Sequence, residues 1–189
     1  MDTATALLDT AENLARRRGF DAFSFADLAS AAGIRKSSVH YHFPTKAELA
    51  RILISRYAGR FFEALDELAA TAPDARARLR GLIDLYRGAL EGGQSMCLCV
   101  SFSSNVSSLP DEVQSSIEDF RKHTTSWIAL VYALAQKDNT IFLTRDPEAE
   151  AATTFALLEG AQIAAHAARD VSIFDLAVGH LVQAPTRPG

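Results

Sequence analysis

The chain has 189 residues, of which 48% are hydrophobic and 22% are charged, a composition typical of a folded globular protein. No apolar run reaches the ~20 residues that span a bilayer, and no secretion signal precedes the first predicted helix. We therefore expect a cytoplasmic protein with no membrane partner. Two cysteines are too few for a secreted disulfide scaffold, so that class is excluded.

The charge is distributed unevenly along the chain. The formal net charge is −4, but residues 1–60 hold nine Lys and Arg against six Asp and Glu, whereas residues 61–189 hold ten against seventeen. A basic N-terminal part on an acidic body favours a protein that binds nucleic acid through one lobe. Each arginine taken singly fits a solvated helix face, but their grouping around one motif favours the first interpretation.

The first predicted helix runs from Thr3 to Arg18, where Leu and Ala recur at helical spacing. Gly19 is expected to end this helix. Phe20 and Phe23 follow it, and they are expected to fill the core of a small three-helix lobe.

A helix-turn-helix is predicted next. Ser24 can cap a short helix, with Asp27 completing a capping box, and Gly33 tolerates the left-handed turn that ends this helix. A second short helix at 36–43 would bury only two apolar side chains, four residues apart. Its other positions carry cationic, hydroxyl and imidazole groups, which bind phosphates and base edges. This second helix is therefore the predicted recognition helix.

Nine side chains of this motif are candidate DNA contacts. Arg35, Lys36 and Tyr41 project from the turn and the outer face of the recognition helix and are expected to read bases. Five others are short or lie near helix starts and are expected to contact phosphates: Ser24, Ser37, Ser38, His42 and Lys46. His40 is the ninth candidate DNA contact.

A long helix is predicted to start just after Pro44. Thr45 and Glu48 form a T-x-x-E capping box, and the amide groups at the start of this helix make an anion site. The helix continues to about Ala70, so it is long enough to belong to two lobes and to act as a lever between them.

At the helix-turn-helix the chain resembles the tetracycline repressor (TetR) family of bacterial transcription regulators. The family pattern falls on Gly33, Ile34, Arg35, Lys36, Ser37, Ser38, Val39, His40, Tyr41, His42, Phe43, Lys46 and Leu49. Arg35 stands where the family usually has a helix-capping Ser or Thr, and His40 replaces the usual phosphate-contacting Tyr. The match covers about the first quarter of the chain. It implies an all-helical homodimer with a ligand-binding remainder.

The middle of the chain is predicted to form three more helices. Asp74 caps one that is ended by Gly92 and Gly93, and residues 96–106 form a short buried one. The third is long: it opens at Ser108, Pro110 and Asp111 and ends near Lys137.

Two C-terminal helices are predicted to make the dimer. The first starts after Asp146 and carries small apolar residues that permit close helix packing, and Ser172 caps the second. Two such hairpins would form an intersubunit four-helix bundle. The residues expected at this interface are Ala161, Ala164, Ala165, Phe174 and Leu181, with His166 beside them.

The predicted fold is therefore all-α, with about nine helices. We expect a helix-turn-helix DNA-binding domain at residues 1–47, a ligand-binding and dimerisation domain at 48–184, and a disordered tail at 185–189.

Several side chains of the larger lobe could line a cavity that is apolar with a few polar groups, as small-molecule pockets are. The candidates are Phe62, Tyr86, Cys97, Phe102, His123, Trp127, Phe155 and Gln162. Ordinary core packing is the alternative for each aromatic residue taken singly. The ligand would be a small-molecule inducer of unidentified structure.

The two cysteines, Cys97 and Cys99, are two residues apart. On a helix they would point roughly 200° away from each other, so we expect neither a shared metal nor a disulfide. Their segment resembles that of the N-ethylmaleimide-reductase repressor subgroup, in which a cysteine senses electrophiles and oxidants, and Cys97 matches that position. The alternative is a small buried apolar residue.

No nucleophile elbow, P-loop, dinucleotide fingerprint or metal-spaced pair occurs, so we expect no enzymatic activity, no metal and no cofactor. Two functions remain. One is a ligand- or redox-responsive repressor that a small molecule releases from an inverted-repeat DNA operator. The other is a non-catalytic small-molecule or redox-sensing module whose basic lobe binds a protein or a membrane.

Overall fold

The structure is a computed structural model that describes residues 2–103, 106 and 109–182. The regular secondary structure within these residues is helical. The predicted cap at Ser108 and the predicted tail at 185–189 lie outside these residues. Nine α-helices occur within them, and the predicted all-α class is confirmed. They are α1 (Thr3–Arg18), α2 (Phe25–Ala32), α3 (Lys36–His42), α4 (Lys46–Thr71), α5 (Ala75–Ala89), α6 (Leu98–Ser103), α7 (Asp111–Asp138), α8 (Pro147–Ala168) and α9 (Ser172–Val178).

The chain divides into two compact units. Unit 1 comprises Met1–Arg60 and Ser95–Phe120, as far as these residues are described. Unit 2 comprises Phe61–Gln94 and Arg121–Gly189, with the same restriction. α4 and α7 each contribute residues to both units. The domain boundary predicted after residue 47 stays a prediction.

Unit 1 is built on a small core that the first four helices and α6 share. Leu7, Leu28 and Val39 are almost completely buried there, as are Leu49 and Leu53. Burying a side chain of this size stabilises a fold by about 1.5–3 kcal/mol, so each of these five residues stabilises the unit. The core lies beneath α3, whose outer face it leaves exposed.

α6 is attached to the C-terminal turn of α1 by hydrogen bonds. The Ser101 hydroxyl donates to the Ala15 carbonyl oxygen at 2.6 Å, and this bond is buried. The Arg16 Nε donates to the Met96 carbonyl oxygen at 3.0 Å, and the Met96 amide donates to the Arg16 carbonyl oxygen at 3.2 Å. The predicted short buried helix at 96–106 is therefore present, but its helical part is shorter, Leu98–Ser103.

Unit 2 places α5, α8 and α9 around a second core. The Gln162 side-chain amide of α8 donates to the Tyr86 carbonyl oxygen of α5 at 2.6 Å. Arg87 of α5 forms a two-point ion pair with Asp175 of α9, at 2.7 and 2.9 Å. A buried side-chain amide that lacks a hydrogen-bond partner lowers the stability of the fold. The bond from Gln162 therefore fixes the register of α8 against α5.

The start of the last helix differs from the prediction. Ser172 does not cap α9 but is its first residue, and Val171 occupies the cap position without a side-chain cap bond. The Asp170 carboxylate instead accepts a hydrogen bond from the Ser172 amide at 2.9 Å. A carboxylate two residues earlier in the turn thus satisfies the amide. α9 also ends early, at Val178, and a 3-10 turn continues to Val182.

Candidate DNA-binding surface

Both ends of α2 are fixed by local hydrogen bonds. The Ser24 amide donates to Asp27 Oδ2 at 2.8 Å and the Asp27 amide donates to Ser24 Oγ at 3.3 Å, so the predicted capping box is present. The hydrogen bond from the Ser24 hydroxyl, followed by the one from its amide, lowers the pKa of Asp27. At the other end Gly33 adopts φ 68° and ψ 29°, a left-handed conformation that favours glycine. These two ends set the direction in which α3 leaves the turn.

α3 buries one face and exposes the other. Val39 is completely buried, whereas Tyr41 is 84% exposed, the largest exposed fraction among the large hydrophobic side chains that the structure describes. Arg35, Lys36 and Ser37 are also exposed at the start of the helix. Arg35 holds the cap position but makes no side-chain cap bond, so its guanidinium is not used to close the helix.

The three remaining polar side chains of α3 lie at the edges of the exposed face. Ser38 and His42 are half-buried. His40 is exposed, and its ring meets the Phe25 ring at 4.9 Å with the planes at 70°. The edge-on contact with Phe25 fixes one side of the imidazole, and the rest of it faces solvent.

Lys46, the first residue of α4, lies over two aromatic rings. Its Nζ is 4.8 Å from the centroid of Phe20 and 5.1 Å from that of Phe23. Burial lowers the pKa of Lys46, while the carboxylates of Asp21 and Asp27 act in the opposite direction. The rings attract the ammonium through their negative faces and hold it near one position.

A shallow depression of about 530 Å³ lies between the starts of α2 and α4. Three predicted DNA contacts line it, Ser24, His40 and Lys46, together with Thr45 and the carboxylate of Asp27. The Asp27 carboxylate accepts hydrogen bonds from the Ser24 amide and hydroxyl, which hold it at the start of α2 in its charged form. The arrangement places a cation and a helix N-terminus at one concave site, which suits a phosphate group.

The cap of α4 is half of the predicted box. The Glu48 amide donates to Thr45 Oγ1 at 3.1 Å. The Glu48 carboxylate pairs instead with Arg51, whose Nη2 is 3.6 Å away. A neighbouring cation one turn along the helix thus replaces the backbone amide as the partner of the carboxylate.

The two cysteines interact with each other and with α4, which the sequence did not predict. Burial opposes ionisation of the Cys97 thiol, but hydrogen bonds from Cys99 and from the Tyr57 hydroxyl outweigh it and lower its pKa to about 7. Burial raises the pKa of Tyr57 well above its ordinary value. Cys97 precedes the first residue of α6, so the helical angle of 200° does not apply to the pair. Neither cysteine forms a disulfide.

The predicted ligand-binding residues belong to different units. Cys97 and Phe102 lie in unit 1, and the six others, Phe62, Tyr86, His123, Trp127, Phe155 and Gln162, lie in unit 2. Within unit 2 the rings of Phe62 and His123 stack with centroids 4.0 Å apart. That all eight residues line one cavity stays a prediction.

Unit 2 also contains an ion pair that the sequence analysis missed. Arg121 of α7 pairs with Glu159 of α8 and lies over the Phe155 ring at 4.9 Å. Burial raises the pKa of Glu159, while Arg121 opposes this shift. Partners 38 residues apart in the sequence carry no spacing signal, so only the packing of the two helices shows the pair.

The predicted dimer residues fall on two faces of the C-terminal helices. Ala161, Ala165 and Phe174 are buried within unit 2 of the protomer itself. Leu181 is half-buried and Ala164 is exposed. Exposed charge on α8 is confined to its first turn, at Glu148, and Leu176 of α9 is also exposed. The exposed residues of α8 after that turn are small or apolar: Ala152, Thr153, Ala156, Gly160, Ile163, Ala164, Ala167 and Ala168.

Comparison with known proteins gives consistent matches. Residues 7–52 match the family model described as bacterial regulatory proteins, tetR family. The chain is 23% identical over 185 residues to the HTH-type transcriptional repressor NemR of Escherichia coli K12, covering 95% of this chain and 92% of that protein. The structure is similar to that of a TetR-family transcriptional regulator from Agrobacterium tumefaciens, with a TM-score of 0.89, 27% identity and 95% of each chain covered. It is also similar to reduced E. coli NemR, with a TM-score of 0.80 at 22% identity over both whole chains.

A fixed α2, a left-handed turn and a recognition helix with an exposed polar face define a helix-turn-helix transcription regulator. The match to the family model places residues 7–52 in the TetR family of bacterial transcription regulators, as the resemblance at Gly33–Leu49 predicted. Over almost its whole length the chain is also similar in structure to a regulator of that family.

Two further expectations concerned a membrane partner and enzymatic activity. Among the described residues, none of the helices combines the length and the hydropathy that a membrane-spanning helix needs. The relatives are named as regulators, and the absence of enzymatic activity stays a prediction.

Proposed function

We propose that this regulator is a repressor that binds an inverted-repeat DNA operator as a homodimer and leaves it when a small molecule binds. The exposed face of α3, held by an α2 that is fixed at both ends, is the observation that carries the proposal. A rigid support is what a recognition helix needs in order to present side chains to base edges. The repressor role is supported by the names of relatives, including NemR and KstR2 of Rhodococcus jostii.

The contacts divide into two kinds. Arg35, Lys36 and Tyr41 read bases, because they are exposed at the start and on the outer face of α3. Phosphates are contacted by the residues around the depression and at the edges of α3: Ser24, Ser37, Ser38, His40, His42 and Lys46.

The homodimer would form through the exposed small-residue face of α8 and through Leu176. A 22-residue helix with an apolar exposed face is unusual in a monomer, because burying that face would be favourable. Its small side chains allow two copies of α8 to approach closely around a two-fold axis. Ala161, Ala165 and Phe174 would then support this face from inside the protomer.

Selection of DNA from a random-sequence pool by the purified protein tests the function. The proposal predicts an enriched inverted repeat whose half-sites lie about one helical turn, 34–36 Å, apart. Enrichment of no sequence, together with binding to anionic vesicles or to a protein, would favour the second function, a sensor module whose basic lobe binds another partner.

The releasing signal has two candidates. Reversible binding of a small molecule in unit 2 is one, with the predicted pocket residues of that unit as its contacts. The Cys97 thiol is the other, because hydrogen bonds from Cys99 and Tyr57 lower its pKa to about 7; since this side chain is buried, an electrophile reaches it only if its surroundings open. An electrophile should then release the wild type from DNA but leave Cys97→Ser bound, with Cys99→Ser behaving as wild type. Equal release of all three proteins would leave reversible ligand binding as the signal.

A further inference from the structure

Three aromatic rings and one ammonium group form a continuous line through unit 1. Phe102 of α6 stacks on Phe20, with centroids 4.7 Å apart and planes at 28°. Phe20 meets Phe23 edge-on at 5.6 Å. The Lys46 Nζ lies within about 5 Å of the Phe20 and Phe23 centroids, at the start of α4. A side chain of α6 is thus separated from Lys46 by a single ring.

The rings restrict a side chain that is otherwise flexible. Lysine has four rotatable bonds, and it loses this freedom when its ammonium contacts a phosphate. In Lys46 the two ring faces restrict the ammonium before any phosphate arrives, and they remove water from one side of it. The opposite side borders the depression at the starts of α2 and α4 and keeps its donors available.

α6 cannot drift from this position without breaking specific bonds. Ser101 is hydrogen-bonded to Ala15, and Arg16 is bonded twice to Met96, so α6 and the segment just before it are held to the last turn of α1. Phe20 follows that turn after Gly19. α6 therefore holds the ring of Phe102, which is 1% exposed, against the ring of Phe20.

We propose that Phe20 is a positioning residue for Lys46, and that Phe102 supports Phe20 from α6. A displacement of α6 would then loosen the ammonium of Lys46 and weaken its contact with a DNA phosphate. This inference rests on the proposed DNA-binding function, because it concerns how one of the phosphate contacts is positioned.

The first arm of the test needs no DNA. Ring currents should shift the ε-methylene protons of Lys46 upfield in the NMR spectrum of the wild-type protein. Phe20→Leu should remove this upfield shift, and Phe102→Leu should reduce it. The matched control is Leu98→Ala, which alters an equally buried side chain of α6 but leaves the three rings in place. A Lys46 signal at an ordinary position in the wild type would overturn the inference.

The second arm is a double-mutant cycle with a labelled duplex of mixed sequence, about 30 base pairs long, enough for two half-sites. Lys46→Ala should weaken binding on the order of fivefold and lower the salt slope by about one. Phe102→Leu should weaken binding in the wild-type background but have little further effect once Lys46 is alanine. Leu98→Ala should have the same effect in both backgrounds.

The outcomes separate the two claims. If Phe102→Leu and Phe20→Leu weaken binding equally with and without Lys46, the rings act independently of it and the inference is wrong. If the wild type shows no salt-dependent binding to any duplex, the proposed function fails, and the NMR arm still decides whether Phe20 and Phe102 hold Lys46 in place.

Discussion

At the scale of single residues, exposure distinguishes the groups that should read sequence from those that should sense only charge. Arg35 is exposed at the turn before α3 and makes no cap bond, so its guanidinium can reach base edges. Lys46 is half-buried between two rings and can reach only the backbone of a duplex that covers the depression. We therefore propose base reading for Arg35 and phosphate contact for Lys46.

Arg35→Ala should therefore relax discrimination at one base pair by about 1–3 kcal/mol, because a guanidinium reads guanine with two hydrogen bonds. Gel-shift titrations against the preferred site and its single-base variants would measure this effect. Lys46→Ala is the control, since it should weaken all of these sequences alike. If Arg35→Ala also weakened all of them alike, Arg35 would be a phosphate contact.

The thiol of Cys97 gives a pH prediction. Its folded pKa of about 7 lies below the ordinary 9.0, so the reactive thiolate forms as the pH rises through about 7 and is lost below it. The alkylation rate of Cys97 by iodoacetamide should rise with that midpoint. Tyr57→Phe removes one of the hydrogen bonds that lower the pKa and should move the midpoint upward. A midpoint that stays near 9 in the wild type would contradict this account.

At the scale of elements, the capping box decides how firmly α2 supports the recognition helix. Ser24→Ala should lower the free energy of unfolding by about 1 kcal/mol, because the Asp27 amide loses its acceptor. Urea denaturation measures this loss. Ser30→Ala changes the same residue type on the exposed side of α2, away from the cap, and should have little effect. Equal losses in both variants would show that the cap bond contributes nothing.

Local signals explain which elements the sequence could predict. The capping box joins Ser24 and Asp27, which are three residues apart, and the turn at Gly33 depends on the backbone of that one residue. Both features are local, so the sequence alone indicates them. The contact between Cys97 and Cys99 depends on α6 starting one residue later than the first cysteine, a boundary that periodicity does not resolve. The stacking of Phe102 on Phe20 joins residues from distant parts of the chain, and no spacing rule indicates it.

At the scale of the whole molecule, the exposed face of α8 should hold two copies together. Ala164→Arg places a long charged side chain on this face and should give monomers in sedimentation at micromolar concentration, whereas the wild type should sediment as a dimer. Arg80→Glu changes the charge at an exposed position of α5 and should leave the dimer intact. A monomeric wild type would contradict the proposed interface.

The central claim is that a dimer presents two α3 helices to one operator. DNase I footprinting on the DNA that flanks the gene for this protein tests it most directly. The account predicts a protected inverted repeat with half-sites about one helical turn apart. It also predicts loss of that protection in a variant with Lys36→Ala and Tyr41→Ala, whose fold should be unchanged because both side chains are exposed. Protection that persists in this variant, or no protection by the wild type on this or any selected DNA, would contradict the account.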